Sequence, residues 1–179
     1  ALYCSFNSNT PVDFDNVTIR NIDKPNCLVQ FDLADDITEF EIHGFNFLNN
    51  AVENNYMGGT GMWIQNSARG CLLKFTDCLF DSNTAKYNGG EDTLSGCGGA
   101  FSIGKNSDIM NAQIEIRNCK FIKNHAKRHG GALRIETTYP VSIDSCEFNG
   151  NHADNNGGAI YLDAENGLVN EFNITGCVF

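Results

Sequence analysis

The chain has little of what builds helices, crosses membranes or binds polyanions. It has three prolines and a single tryptophan in 179 residues. No segment keeps apolar residues at a 3.6-residue spacing, and Gly, Asn and Asp interrupt each run before a helix could form. No hydrophobic run reaches membrane-spanning length, so direct membrane insertion is not expected. Twelve Lys and Arg face 22 Asp and Glu, a formal net charge of -10. That deficit argues against nucleic acid, which requires concentrated cationic charge. Eight cysteines are present, yet no Cys-x-x-Cys spacing occurs, which argues against zinc. We expect no metal and no cofactor. Two-residue hairpin turns, linkers and low-complexity tracts are also missing.

What the chain does have is one phrase written several times. Ile114-Glu115-Ile116-Arg117-Asn118-Cys119-Lys120-Phe121-Ile122-Lys123-Asn124-His125-Ala126 is followed by Gly130-Gly131-Ala132-Leu133. Val141-Ser142-Ile143-Asp144-Ser145-Cys146-Glu147-Phe148-Asn149-Gly150-Asn151-His152-Ala153 is followed by Gly157-Gly158-Ala159-Ile160. Successive phrases are offset by 41, 27 and 31 residues, from Cys78 to Cys119, Cys146 and Cys177. Phe45 takes the Cys position one phrase earlier, and Ile22 is a weaker match before that. Such an imperfect repeat means a solenoid. Within each phrase apolar and polar residues alternate with period two, which means strands. The parity slips by one at Asn118 and at Ser145, so a bend or bulge is expected there. The fold class that follows is all-β: a right-handed parallel β-helix of about six coils. Residues 1–179 read as a single domain, with the best repeats over 37–179.

Three columns follow from stacking the coils. Phe45, Cys78, Cys119, Cys146 and Cys177 form one inside column. Phe47, Phe80, Phe121, Phe148 and Phe179 form an aromatic column beside it. Asn50, Asn83, Asn124 and Asn151 recur three residues after the first four Phe. An inward Asn at a turn can hydrogen-bond the backbone and the Asn of the next coil. The Gly pairs 98–99, 130–131 and 157–158 mark a turn that needs positive φ or close backbone approach.

The alternating Gly-Gly-Ala-[Ile/Leu/Phe] and Phe-x-x-Asn motifs resemble the repeats of chlamydial polymorphic membrane proteins. The motifs are Gly98 to Phe101, Gly130 to Leu133 and Gly157 to Ile160, with Phe47 to Asn50, Phe80 to Asn83, Phe121 to Asn124 and Phe148 to Asn151. The resemblance covers about Ile37 to Phe179. It implies a right-handed β-helix of the pectin-lyase type, displayed outside the cell and often adhesive. An autotransporter barrel, a signal peptide and an anchor have no counterpart in these residues, so the delivery route of that family is not carried over.

Four cysteines lie in the internal column, where they can pack as small apolar side chains or join neighbouring coils as disulfides. Cys71 and Cys97 flank variable turns and are the first candidate disulfide, Cys4 and Cys27 the second. Disulfides would mean an oxidising compartment. Asn16-Val17-Thr18 and Asn173-Ile174-Thr175 are N-glycosylation sequons. Both ends read as mid-phrase, as in a segment of a longer solenoid or a unit that stacks end to end.

Candidate sites are sparse, and no catalytic residue is assigned. Asp32, Asp35, Asp36, Glu39 and Glu41 form the densest carboxylate group and read best as a solvated face. Glu91 and Asp92 lie in an insertion without the oxygen-rich alternation of a calcium loop. Lys120, Lys123, Lys127 and Arg128, with Arg117 and Arg134, give a local basic patch suited to an acidic surface or glycan. Trp63 and Tyr161 fall on the outward parity of their strands, where aromatics can stack on sugars. His125 and His152 occupy one repeat position and stack as surface neighbours, a consequence of repeat geometry. The expectation is an extracellular, cell-surface structural or adhesive β-helix whose outer faces meet glycans, cells or copies of itself. A filament subunit built by end-to-end stacking is the alternative. A polysaccharide lyase or hydrolase is a second one.

Overall fold

The computed structural model describes residues 2–6, 12–24, 29–33, 37–53, 62–66, 71–87, 96–103, 112–163 and 171–179, without the side chains of 2–6, 12, 13, 24, 30, 32 and 62–66. These residues form strands and bends, with no helix among them. The strands are short because the apolar alternation runs only three to five residues before a bend.

Every paired strand runs parallel to its neighbour, and each neighbour comes from the next coil. One sheet stacks six strands: β2 (Val12–Asp15), β6 (Glu39–His43), β10 (Leu72–Thr76), β14 (Gln113–Arg117), β18 (Val141–Asp144) and β22 (Phe172–Thr175). A second sheet carries the Phe column: β3 (Thr18–Arg20), β7 (Asn46–Leu48), β11 (Leu79–Asp81), β15 (Lys120–Ile122) and β19 (Glu147–Asn149). A third follows it: β4 (Asp23–Lys24), β8 (Ala51–Glu53), β12 (Thr84–Lys86), β16 (His125–Ala126) and β20 (His152–Ala153). Two three-stranded sheets complete the wall. One joins β1 (Leu2–Phe6), β5 (Val29–Leu33) and β9 (Met62–Asn66), and the other joins β13 (Phe101–Ile103), β17 (Leu133–Glu136) and β21 (Ile160–Asp163). The protein is therefore a parallel β-helix. One face of each strand is closed inside the coil: Phe40 and Ile42, Leu73 and Phe75, Ile114 and Ile116, and Val141 and Ile143 are all buried.

The parity slips are sites of left-handed backbone. Gly44, Asp77, Asn118, Ser145 and Gly176 have φ between 53° and 62°, and each precedes the Phe45, Cys78, Cys119, Cys146 or Cys177 position. A second bend lies at Asn49, Ser82, Lys123 and Gly150, with φ between 51° and 64°, each just before the ladder Asn. An L-residue pays a penalty in this region, and Asn, Asp and Gly tolerate it best. The first coil keeps both bends at Asn16 and Asn21, φ 54° and 58°. This corrects its register. β3 pairs with β7 so that Ile19 meets Phe47, which puts Val17 at the Phe45 position. Ile22 stands at the Asn50 position instead, and its amide donates to Asn50 Oδ1 at 3.1 Å. The sequence contains no Phe-x-x-Asn in this coil, so spacing alone misplaced it.

Each bend turns the next backbone N–H inward, away from the strand ladder. The following coil supplies the acceptor. Asn50, Asn83 and Asn124 donate their N–H groups to Oδ1 of Asn83, Asn124 and Asn151 at 3.0–3.1 Å. Each ladder amide also joins its neighbour, with Nδ2 of Asn83 and Asn124 donating to Oδ1 of Asn124 and Asn151 at 3.0 Å. The same Nδ2 groups donate to the carbonyls of Phe47 and Phe80 at 2.7 and 2.9 Å. At the first bend the acceptor is sulfur. The N–H groups of Cys78, Cys119 and Cys146 point to Sγ of Cys119, Cys146 and Cys177, each at 3.4 Å. The thiols donate in turn to carbonyls such as Phe75, 3.4 Å from Cys119 Sγ.

The Phe column fills the space between these ladders. Phe80, Phe121, Phe148 and Phe179 stack with centroids 4.8–5.1 Å apart and rings within 8° of parallel. That spacing is close to the rise between coils, so one ring per coil packs without gaps. Phe179 is 68% exposed.

The two glycines of each pair do different work. Gly130 has φ 67°. Gly131 lies so close to the next coil that an added Cβ would stand 1.9 Å from the Gly158 carbonyl oxygen.

Two tests follow. Asn124→Ala removes the acceptor for the Asn83 amide and the donor to the Phe80 carbonyl, and should cost about 3 kcal/mol in chemical unfolding. Lys123→Gly, next to it, relieves the left-handed φ and should stabilise by about 0.5–1 kcal/mol. Equal, negligible effects would reject the ladder as a source of stability. Gly131→Ala should cost several kcal/mol, at the severe end of single substitutions. Gly158→Ala, whose Cβ meets nothing nearer than 3.8 Å, should be tolerated. Similar melting temperatures for the two variants would contradict the close approach.

Candidate functional site

With the inside given over to ladders, chemistry is left to the outer faces and bends. Register decides which outer side chains meet. On the three-stranded sheet of β13, β17 and β21, Ser102, Arg134 and Tyr161 share one outward column. Arg134 was expected to contribute to an exposed basic patch. It is instead buried, at 5% exposure, and its guanidinium is ion-paired with Glu136, also buried. The physical reason is period two: Glu136 follows by two residues on the same strand and so shares its face. Arg134 Nη1 and His129 Nδ1 are buried, and neither has a hydrogen-bond partner among the described residues. The His129 ring stacks on Tyr161 at 4.8 Å. Burial, then the Arg128 and Arg134 charges, hold the His129 pKa below its ordinary value. Burial, then Asp163, raises that of Tyr161. Tyr161 is thus a half-buried ring engaged with His129. The Trp63 side chain lies outside the described residues.

The remaining cations of the patch stay at the surface. Arg117, Lys120, Lys123 and Lys127 are exposed. Arg117 meets Glu115 at 3.1 Å, Lys120 meets Glu147 at 3.8 Å, and Lys127 meets Asp154 at 3.1 Å. Arg128 lies over the Tyr87 ring, 5.4 Å from its centroid. The structure therefore leaves these cations spread along the bends of β15, β16 and β14, partly neutralised by acids of the same or the next coil.

The carboxylate group is also engaged. Glu39 pairs with Lys74 at 2.7 Å, and Glu41 accepts from Thr76 Oγ1 at 3.1 Å. Asp35, Asp36, Glu91 and Asp92 lie outside the described residues, as does the Asp32 side chain. His43 clamps three coils from outside, with Nδ1 2.9 Å from Asp15 Oδ1 and Nε2 3.2 Å from Asp77 Oδ2.

Cys71 and Cys97 are buried thiols, so the disulfide expected between them is not formed. Cys71 lies just before β10 of the six-stranded sheet, whereas Cys97 precedes the Gly turn into β13. They occupy different corners of the coil, not neighbouring rungs. Cys78, Cys119, Cys146 and Cys177 are thiols too, engaged in the hydrogen bonds described above. The pKa of Cys119 is raised far above the thiol range by its hydrogen bonds with Cys146 and Cys78 and by burial. The Cys4 side chain and all of Cys27 lie outside the described residues. Asn16 and Asn173 are exposed, with Nδ2 groups donating to Asp15 at 2.8 Å and Glu171 at 3.0 Å.

One cluster has the donors of a metal site. His125 and His152 are register partners on β16 and β20, with ring centroids 5.3 Å apart. Asp154 Oδ1 lies 2.7 Å from His125 Nε2 and 3.4 Å from His152 Nε2. Hydrogen bonds from His125 and Lys127 lower the Asp154 pKa to about 2. The sequence reading paired the two imidazoles but missed the carboxylate. The available signal was His152-Ala153-Asp154, two polar residues with the same strand parity.

Residues 145–163 match the family model of the Chlamydia polymorphic membrane protein repeat. The matched stretch runs from the Ser145 bend through β21. That family is associated with the outer membrane and the cell surface. No curated protein and no solved structure matches the chain.

The His43 clamp has a pH signature. Its hydrogen bonds to Asp15, then Asp77, raise its pKa above the ordinary value. A raised folded-state pKa adds stability that is complete below the unfolded value of about 6.5 and is lost as pH rises through the folded value. The melting temperature should therefore rise more for the wild type than for His43→Gln on going from about pH 8 to about pH 6. Identical pH profiles would show that the clamp contributes nothing.

Proposed function

We infer that this protein is a rigid surface module that displays varied side chains for contact with glycans or cells. The observation that supports this reading is a contrast between inside and outside at equal register. Inward positions repeat: Phe80, Phe121 and Phe148, then Ala85, Ala126 and Ala153, face one another coil after coil. Most outward positions do not, the His125–His152 pair being an exception. Leu79, Lys120 and Glu147 share one column, and Asp81, Ile122 and Asn149 share another. A scaffold held by its interior can change its outer chemistry at little cost to folding, as solenoid binding proteins do. The similarity of residues 145–163 to a repeat of surface proteins agrees with display outside the cell. In the carboxylate group Glu39 and Glu41 are engaged with Lys74 and Thr76, as a solvated structural face would be.

The ligand class favoured by Arg117, Lys120, Lys123 and Lys127 is an acidic glycan. The folded chain should bind acidic glycans or cell surfaces carrying them in an immobilised-glycan assay. Replacing these four exposed residues by Ser should weaken that binding roughly tenfold or more while leaving the melting temperature nearly unchanged. Failure of the folded wild type to bind any glycan or cell surface would overturn the adhesive reading. Rods growing in length with concentration by electron microscopy would then favour assembly of copies along the rod axis.

A further inference from the structure

The geometry points to a divalent transition-metal site on the outer wall, formed by His125, His152 and Asp154 and bridging two successive coils. The three donor atoms lie within 4.8 Å of one another. A zinc-class cation bound at about 2.0–2.1 Å from imidazole nitrogen and carboxylate oxygen needs donors a little over 3 Å apart. Asp154 Oδ1 already lies 2.7 and 3.4 Å from the two Nε2 atoms. The gap between the imidazoles must close, and the His152 side chain is 70% exposed.

The fold presets the rest. His152 is locked beside His125 by parallel pairing, its amide donating to Asn124 O at 2.9 Å. The Asp154 amide donates to Ala126 O at 3.1 Å, which fixes the carboxylate to the same pair of coils. Lys127 holds the second carboxylate oxygen, Oδ2, at 3.1 Å, leaving Oδ1 for the cation. Such an outer contact orients a ligating group. Two neutral imidazoles and one carboxylate suit Zn²⁺, Cu²⁺ or Ni²⁺ better than Ca²⁺ or Mg²⁺, which take oxygen ligands. A bound cation would take the Nε2 lone pair of a neutral imidazole whose proton is on Nδ1. The remaining coordination positions face solvent, where water or a donor from a surface partner would complete them.

Titration of the metal-free chain with ZnCl₂ by calorimetry should give one site that His152→Asn and His125→Asn each weaken at least tenfold. Both positions lie on the outer wall, and the variants should keep the wild-type melting temperature without metal. Zn²⁺ should raise that temperature in the wild type and not in the variants. Co²⁺ substitution should give ligand-field bands of nitrogen and oxygen donors without thiolate charge transfer, which separates this site from the cysteine ladder. Absence of wild-type binding below millimolar Zn²⁺, or binding indifferent to both histidine variants, would overturn the site.

Discussion

Everything in this fold depends on an amide that a bend leaves without a strand partner. At two recurring bends, such as Asn118 and Lys123, the backbone enters the left-handed region, and the next N–H points into the protein. A buried amide without an acceptor costs about 1–3 kcal/mol, so a coil with two such bends cannot stand alone. The next coil answers with Asn Oδ1 at one bend and Cys Sγ at the other. Asn and Cys are therefore specified here as acceptors, beyond their size. Phe can then occupy the volume between the two ladders, where ring spacing equals coil spacing.

This arrangement explains why the outside is chemically free. Interior ladders set the stacking register, and register alone decides which outer residues become neighbours. The same rule that stacks Phe121 on Phe148 brings His125 to His152 and Arg134 to Tyr161. In the first pair it creates core, in the second a histidine pair that one carboxylate joins, and in the third a buried polar cluster around the Arg134–Glu136 ion pair. A surface whose composition varies while its geometry repeats is suited to recognition, whether of glycans, of cells or of other coils.

Much of this was legible beforehand, and the reason is local. Period-two alternation identified the strands, and recurring Cys, Phe and Asn identified the inward columns, because a repeating coil writes its constraints at fixed places. The parity slips at Asn118 and Ser145 marked the bends. Where the pattern faded the reading failed: Ile22 was set five residues out of place because its coil has neither Cys nor Phe-x-x-Asn.

The amino-acid sequence by itself determined the class of fold, the inward columns and the bends, since these are written within a few residues of one another. Only the tertiary structure decided the partners across coils. The ladder contacts join residues 27 to 41 positions apart along the chain, and the carboxylate reaches His125 from 29 residues away in the next coil. Loop lengths between coils vary, so spacing cannot predict those contacts; the ladder hydrogen bonds set them.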